Sequence, residues 1–559
     1  MNTVEAFEEE LTTALSNDSS LNGFSDFLHF VGNSDHPKTV YKGIYAMYRL
    51  FSLSIRKRRL DLGSSGNSEV KAVGVWLREK LERFSLLLQG YLHDEDENLR
   101  NASLRIFFGL LKQLSDYDDL LTQLFKVIVQ GLLLCPQSKR CSTASADRFL
   151  ELDVRDTLVD DWLSKYADLR WYYFRASGAL LLQQPVITSN PQVPKNALFI
   201  IEKLASTQLQ ITDISNRWLG DSAALPNHSK GSIPAGSDQP AEDDWRTFFD
   251  SQMDDEDEVG GEKANTRRVH AMTVHEQIRS VPAHKTMFTK CWLALLPCLS
   301  SLPVDDTRED LVKRALSVFH RGVMPYMTRP ILLMDWVAGC VDFGGSVAVL
   351  ALNALFSLMK DYNLDYPQFY TRLYALLDRD VLYLKHRSRF FRLTELCLQS
   401  THLPATLLAS FIKKLSRLSL SASPAAIVLI IPFTYNILKR HPALMVMIHR
   451  TGDSPDDPFD VTEQNPTQTN AIESSLWELY SHKIHYHTSV ATMARIFEEV
   501  FTKPSYALED FLDHTYMTLL ETELKRKIKK EPAVVDQSLF LPQSLSPPED
   551  ITHSTWVLA

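Results

Sequence analysis

The sequence has little of what usually marks an enzyme or a metalloprotein. Its 559 residues include only six cysteines, and none of them forms a Cys-x-x-Cys pair, so we expect reduced core thiols. No Gly-x-Gly-x-x-Gly follows a strand pattern, no Walker-type phosphate loop is present, and Gly344-Gly345 is predicted to form a tight turn between helices. We therefore expect no catalytic residue, cofactor, metal ion or small-molecule substrate.

The nearest approach to a metal-ligand cluster is the run Ser481-His-Lys-Ile-His-Tyr-His487. Histidines three residues apart share a helix face, but three ligands normally need an acidic or fourth ligand with supporting hydrogen bonds. The sequence has no His-Glu-x-x-His pattern to provide these. We interpret His482, His485 and His487 as exposed and partly buried side chains at a helix end.

Long apolar runs are also missing. Val347–Met359 and Ala425–Leu438 are interrupted by polar residues, and both fall short of the roughly 20 apolar residues that span a membrane. We predict two buried helices and no membrane contact, with Pro432 kinking the second helix or ending it early. A nuclear-envelope membrane protein remains the alternative that these two stretches leave open.

Helical spacing dominates, whereas alternating strand patterns are hard to find. The clearest helix carries Lys413, Lys414 and Arg417 on the face opposite its apolar positions, Leu407, Leu408, Phe411, Ile412, Leu415 and Leu418. Paired helices recur at roughly the forty-residue interval of helical-hairpin repeats. The sequence therefore predicts an all-α protein, an α-solenoid of HEAT-like helical hairpins.

We expect helices near the following positions: 3–16, 38–55, 69–90, 98–115, 118–134, 155–182, 194–217, 284–300, 308–320, 328–341, 345–361, 366–378, 383–400, 403–418 and 423–440. The predicted regions are an N-terminal helical repeat region (1–219), a linker (220–281), a C-terminal helical domain (282–531) and a tail (532–559).

The linker is polar and acidic, with the run Asp254-Asp-Glu-Asp-Glu258. Its low hydrophobicity and dense like charge predict an acidic disordered linker that interrupts the solenoid. Trp245, Phe248 and Phe249 stand out, because their spacing would place them on one helical face. This face could dock in a groove on a partner or on this protein, or the aromatic residues could be a chance cluster.

Two basic clusters occur, at Arg56–Arg59 and at Lys525, Arg526, Lys527, Lys529 and Lys530. Either could contact RNA phosphates or direct nuclear import, or be a solvated helix end, and Arg56–Arg59 is predicted to end a helix. The formal net charge of −10 argues against nucleic-acid binding as the main activity, because generic polyanion binders are basic.

Several blocks of sequence occur in the order typical of one family. They are Gly344–Phe356, Asn363–Leu377, Arg389–Leu393, Ser400–Pro404 and Tyr435–Pro442. In this order they resemble the nucleolar complex family, also called the CCAAT-binding-factor domain family. The downstream blocks narrow the resemblance to one branch of that family: Asp457–Asp460, Ser474–Leu479, Val490–Thr492 and Glu509–His514.

The resemblance covers a little under half of the chain, between about 284 and 530. It implies a nuclear and nucleolar scaffold of the small-subunit processome that supports small-subunit ribosomal RNA maturation and 40S subunit biogenesis. The implied partners are nucleolar protein 14 and other processome proteins, with mostly indirect contact to pre-ribosomal RNA. A DNA-binding transcriptional regulator is the other alternative, although no helix-turn-helix, zinc-finger or basic-zipper pattern appears.

Overall fold

The computed structural model describes residues 4–17, 20–61, 68–136, 138, 140, 149–206, 214–219, 274–303, 306–384, 386–449 and 457–527. Within these ranges the regular structure is helical, without a β-strand, which confirms the predicted all-α class. The chain divides into two compact units, Met1–Asp365 and Tyr366–Ala559. This division differs from the four predicted regions, whose borders remain predictions.

The helices of the first unit are α1 (Val4–Asn17), α2 (Gly23–Gly32), α3 (Pro37–Arg56), α4 (Ser68–Tyr91), α5 (Glu97–Gln113), α6 (Asp118–Leu134), α7 (Leu152–Thr157), α8 (Ala167–Leu181), α9 (Gln184–Ser189), α10 (Gln192–Ser206), α11 (Val274–Ile278), α12 (Val281–Ser300), α13 (Asp306–Val318), α14 (Met334–Val341) and α15 (Gly345–Tyr362). Gly344 and Gly345 form the predicted tight turn at the start of α15, with φ of 73° and 52°, values that glycine adopts at little cost.

Helices α1 to α8 of the first unit pack mainly against their next-but-one neighbours, and α8 packs against α12. One layer runs α1, α3, α5 and α7, and the other runs α2, α4, α6, α8 and α12. Each hairpin buries its apolar stripe against the next hairpin, as where the rings of Phe125 on α6 and Tyr172 on α8 stack at 5.2 Å. Two layers built from successive hairpins make an α-solenoid, which confirms the predicted architecture.

Most predicted helices differ from the structure by a few residues at their ends, and two of the long ones are interrupted or end early. The helix expected over 155–182 is broken: α7 passes into a π-helical turn at Leu158–Leu163, and α8 starts only at Ala167. Arg170 stabilises the break, because its guanidinium donates to the carbonyl oxygens of Leu163 and Ser164 at 3.2 and 3.0 Å. The prediction of a helix over 194–217 is also wrong at its C-terminal end, since residues 214–217 are not helical.

Residues 214–219 and α11 flank residues 220–273, and both lie against α8. The Asp168 carboxylate on α8 accepts hydrogen bonds from the backbone N–H groups of Trp218 and Leu219 at 2.9 and 2.8 Å. On the other side, α11 contacts both α8 and α12. Helix α8 packs directly along α12, so the described parts of the chain on either side of residues 220–273 pack together. Residues 220–273 lie outside the described residues.

The second unit contains α16 (Phe369–Ala375), α17 (Arg387–Leu398), α18 (Ala405–Ser419), α19 (Pro424–Arg440), α20 (Trp477–Ser481), α21 (Thr488–Ala494), α22 (Glu509–Leu512) and α23 (Tyr516–Lys525). Helix α19 is the buried centre, with Ile427, Ile431 and Tyr435 packed against Val490 and other residues of the following segment. This helix runs through Pro432 to Arg440, so the early end that we considered for it is wrong.

Candidate interaction surface

The polar face of α18 is not left to solvent in the second unit. The segment 457–480, which has little regular structure, lies across this face and brings two of the family-like blocks onto the helix. Lys413, which the helical pattern places opposite the apolar stripe, has a side chain with no exposed surface. A buried ammonium group is stable only when it is paired and hydrogen-bonded.

The downstream blocks supply the partners of Lys413. Its Nζ donates to Glu478 Oε1 at 2.6 Å and to the Ser475 carbonyl oxygen at 2.7 Å. The same nitrogen lies 2.9 Å from Asp457 Oδ2. Three oxygens therefore surround one ammonium group, which matches its three N–H donors.

Arg417, one turn further along α18, joins the cluster from its solvent side. It donates from NH2 to Asp457 Oδ2 at 2.8 Å, and its guanidinium lies 4.9 Å from the centre of the Trp477 ring. Ser474 donates from Oγ to Asp457 Oδ1 at 2.5 Å. The cluster thus contains two cations and two carboxylates and ties three separate stretches of chain together.

The two carboxyl groups of this cluster have opposite pKa shifts. Burial acts to raise the pKa of Asp457, but hydrogen bonds from Ser474, Lys413 and the Phe459 backbone outweigh it and lower the pKa to about 2. Burial raises the pKa of Glu478, and Lys413 and Arg417 only partly oppose that shift. Asp457 is therefore firmly ionised at neutral pH, where it pairs with both cations.

Hydroxyl groups of α18 extend the attachment on both sides of this charge cluster. Ser410 donates to the Pro466 carbonyl oxygen at 2.5 Å and lies 2.6 Å from Thr469 Oγ1. Ser419 Oγ lies 2.8 Å from Nε2 of the buried His482. Burial, with a smaller contribution from His485, lowers the pKa of His482 to about 4, so this imidazole is neutral at pH 7.

The anchored segment presents a group of exposed aromatic and aliphatic side chains, which we call the 477–486 surface. Its members are Trp477, Tyr480, Ile484 and Tyr486, and Ile484 and Tyr486 are 91% and 80% exposed. A pocket of about 200 Å³ adjoins Trp477 and Tyr480, and apolar side chains that include Met447, Leu479 and Phe497 line much of it. Tryptophan and tyrosine beside an apolar pocket are typical of protein–protein contact sites.

The predicted site residues fall into two groups. Trp245, Phe248, Phe249, Lys529 and Lys530 lie outside the described residues, so the docking prediction for the linker stays a prediction. Three basic residues are described and exposed at the end of α23, where Lys525 pairs with Glu521 at 3.5 Å and Arg526 pairs with Glu523 at 3.4 Å; the third is Lys527. Their predicted role in RNA contact or nuclear import stays a prediction.

The other basic cluster closes the end of α1. Lys57 Nζ and Arg59 NH2 donate to the carbonyl oxygen of Leu15 at 2.8 and 3.4 Å. Cations at this position satisfy a helix-terminal carbonyl and suit the helix dipole. The structure therefore gives these two side chains a stabilising role within the first unit.

In the described part of the chain, no group of three or more His, Cys, Asp or Glu side chains is arranged to hold a metal ion. The same residues include no helix that is both long and apolar enough to cross a membrane.

Two family models match this chain in different places. The model of the CBF/Mak21 family matches residues 348–494, and the model described as "Nucleolar complex protein 4-like, TPR repeats" matches residues 5–185. The first match shows similarity to the CBF/Mak21 family, and the second shows similarity to a family of helical-repeat proteins. The first includes the α18 cluster and the 477–486 surface, whereas the second covers the hairpins from α1 to α8.

Individual relatives confirm the branch that the downstream blocks indicated. The chain is similar to Nucleolar complex protein 4 of Saccharomyces cerevisiae, with 42% identity over 46% of this chain and 50% of the relative. Nucleolar complex protein 4 homologs of human and mouse are 40% and 27% identical over 45% and 93% of this chain, and over 48% and 91% of their own lengths. The chain thus spans about half the length of the yeast and human relatives and most of the mouse relative.

Proposed function

We propose that this protein is a non-catalytic scaffold in the nucleolus that takes part in ribosome biogenesis as a component of the small-subunit processome. There it supports small-subunit ribosomal RNA processing and 40S subunit assembly together with nucleolar protein 14. Contact with pre-ribosomal RNA is mostly indirect in this proposal, through other processome proteins.

The names of the relatives support the nucleolar and complex-forming parts of the proposal. The architecture supports the scaffold part, because stacked hairpins give long surfaces for large partners. The buried polar groups described above bind one another and position backbone segments, as the Lys413 cluster does, which is a structural role.

The observation that carries the proposal is the 477–486 surface. The CBF/Mak21 match includes it, and a buried charge cluster fixes the segment that presents it. Rigid aromatic side chains cost little conformational entropy when they bind, so they make good anchors for a protein partner. We therefore place the contact with nucleolar protein 14 on this surface of the second unit.

A binding experiment with matched surface variants tests this placement. Tyr480→Asp combined with Ile484→Asp should weaken capture of nucleolar protein 14 by about tenfold or more, because each change puts a charge into an apolar contact. The control is Leu86→Asp combined with Leu182→Asp, two side chains of the first unit that are 52% and 66% exposed. Equal binding by both double variants would contradict the proposed contact.

A further inference from the structure

Helix α23 in the second unit presents an apolar face to solvent. Tyr516, Met517, Leu520 and Leu524 are 64%, 63%, 54% and 76% exposed, and within this helix only Leu519 is buried. Residues at positions i, i+4 and i+8 lie along one side of a helix. An isolated helix of this length is marginal in water, so an additional contact on this face would stabilise it.

We propose that residues 531–559 fold back along α23 and cover this apolar face. The inference goes beyond the proposed scaffold function and concerns how the chain protects a surface of its own. The segment that covers the face is part of the same chain and begins directly after residue 530.

Charge supports this occupant. The stretch 525–530 carries Lys525, Arg526, Lys527, Lys529 and Lys530, and the two acidic residues of the helix, Glu521 and Glu523, offset only part of that charge. Residues 531–559 contain four carboxylates and neither lysine nor arginine, namely Glu531, Asp536, Glu549 and Asp550. The two stretches therefore attract each other, and they do so at close range.

Length and composition support it as well. The apolar group Leu539-Phe540-Leu541 follows the end of the helix after thirteen residues, which can span up to roughly 40 Å when extended. The helix itself is only about 15 Å long, so this group can reach any part of its exposed face. A segment on the same chain also has a high effective concentration, on the order of millimolar for a short link.

A second copy of the chain fits the face less well. Stable specific interfaces bury at least about 1,200 Å² in total, and four partly exposed side chains on a ten-residue helix offer little area per copy. A separate protein partner would have to compete with a tethered and oppositely charged segment. The observations therefore favour the segment of the same chain.

Hydrogen exchange measured by mass spectrometry tests the proposal on the full chain and on a chain ending at Lys530. Amides of residues 516–525 should exchange about tenfold faster in the shortened chain, while those of α19 keep their rates. Adding a synthetic peptide of residues 531–559 in excess should restore the slow exchange.

A matched pair of full-length variants separates apolar contact from charge. Leu539→Asp, Phe540→Asp and Leu541→Asp together should accelerate exchange in 516–525 as the truncation does. Gln543→Asp, Ser544→Asp and Ser546→Asp add the same charge and should not accelerate exchange. Identical exchange in the full-length and shortened chains would overturn the proposal, and so would protection that depends on protein concentration, which would indicate a second copy.

Discussion

Replacing Lys413 by methionine removes the cation at the centre of the α18 cluster and keeps a side chain of similar length. Glu478, whose side chain has no exposed surface, then loses the hydrogen bond it accepts at 2.6 Å. Glu478 then has one remaining cationic neighbour, because Arg417 Nε lies 3.0 Å from its Oε1. Breaking a buried pair from one side costs about 3–5 kcal/mol, because the remaining charge stays buried.

Native-state hydrogen exchange can measure this cost in the second unit alone. If α18 opens through unfolding of that unit, its amides should exchange on the order of a hundred to several thousand times faster in the Lys413→Met variant, since about 1.4 kcal/mol corresponds to tenfold. Amides of α6 in the first unit serve as an internal reference. The control Lys503→Met removes an exposed pair with Glu499 and should cost less than about 1 kcal/mol.

A second substitution distinguishes the loss of a charge partner from the loss of packing. Lys413→Met combined with Glu478→Leu removes both buried charges, so it should recover part of the lost stability. The reasoning would be refuted if Lys413→Met exchanged at the rate of the Lys503→Met control, or if the double variant were less stable than the sum of the two single changes.

The pKa of His482 is depressed to about 4 in the folded state against about 6.5 when unfolded, so its contribution is full above pH 6.5 and is lost as pH falls towards 4. Between pH 7 and pH 5 the free energy of unfolding should therefore fall by about 2 kcal/mol more in the wild type than in the His482→Gln variant. An equal decrease in both proteins would contradict this. Proteases should cut first within residues 220–281. The two fragments should then co-elute on gel filtration because α8 packs on α12. Separation of the fragments without denaturant would contradict this association. Neutral replacement of Lys525, Arg526, Lys527, Lys529 and Lys530 should weaken nuclear retention or RNA crosslinking while leaving the melting temperature unchanged, and intact retention and crosslinking would reduce the cluster to a solvated helix end.

Much of the fold could be predicted because the helices carry strong local signals. The helix expected over 118–134 has those bounds in the structure, and the one expected over 423–440 starts one residue later. Predictions failed where a distant contact competes with local helix propensity. The helix expected over 155–182 breaks because Arg170 and the returning residues 214–219 bind the backbone at the break, and periodicity does not report such contacts.

Only part of the candidate site could be predicted from the sequence. The blocks at Asp457–Asp460 and Ser474–Leu479 stood out by resemblance, but nothing in their spacing shows that they bind Lys413, which lies 44 to 65 residues earlier in the chain. An amphipathic pattern places a lysine on the polar face of its helix and cannot tell whether water or another segment covers that face. The pairing of two carboxylates with two cations is a property of the tertiary structure.

Depletion of the protein followed by analysis of ribosomal RNA precursors tests the proposed function most directly. A scaffold of small-subunit assembly should leave small-subunit precursors to accumulate and mature small-subunit RNA to fall, with the large-subunit pathway largely intact. Re-expression of the wild-type chain should restore processing, whereas the Tyr480→Asp and Ile484→Asp double variant should not. Normal small-subunit ribosomal RNA after complete depletion would contradict the proposal.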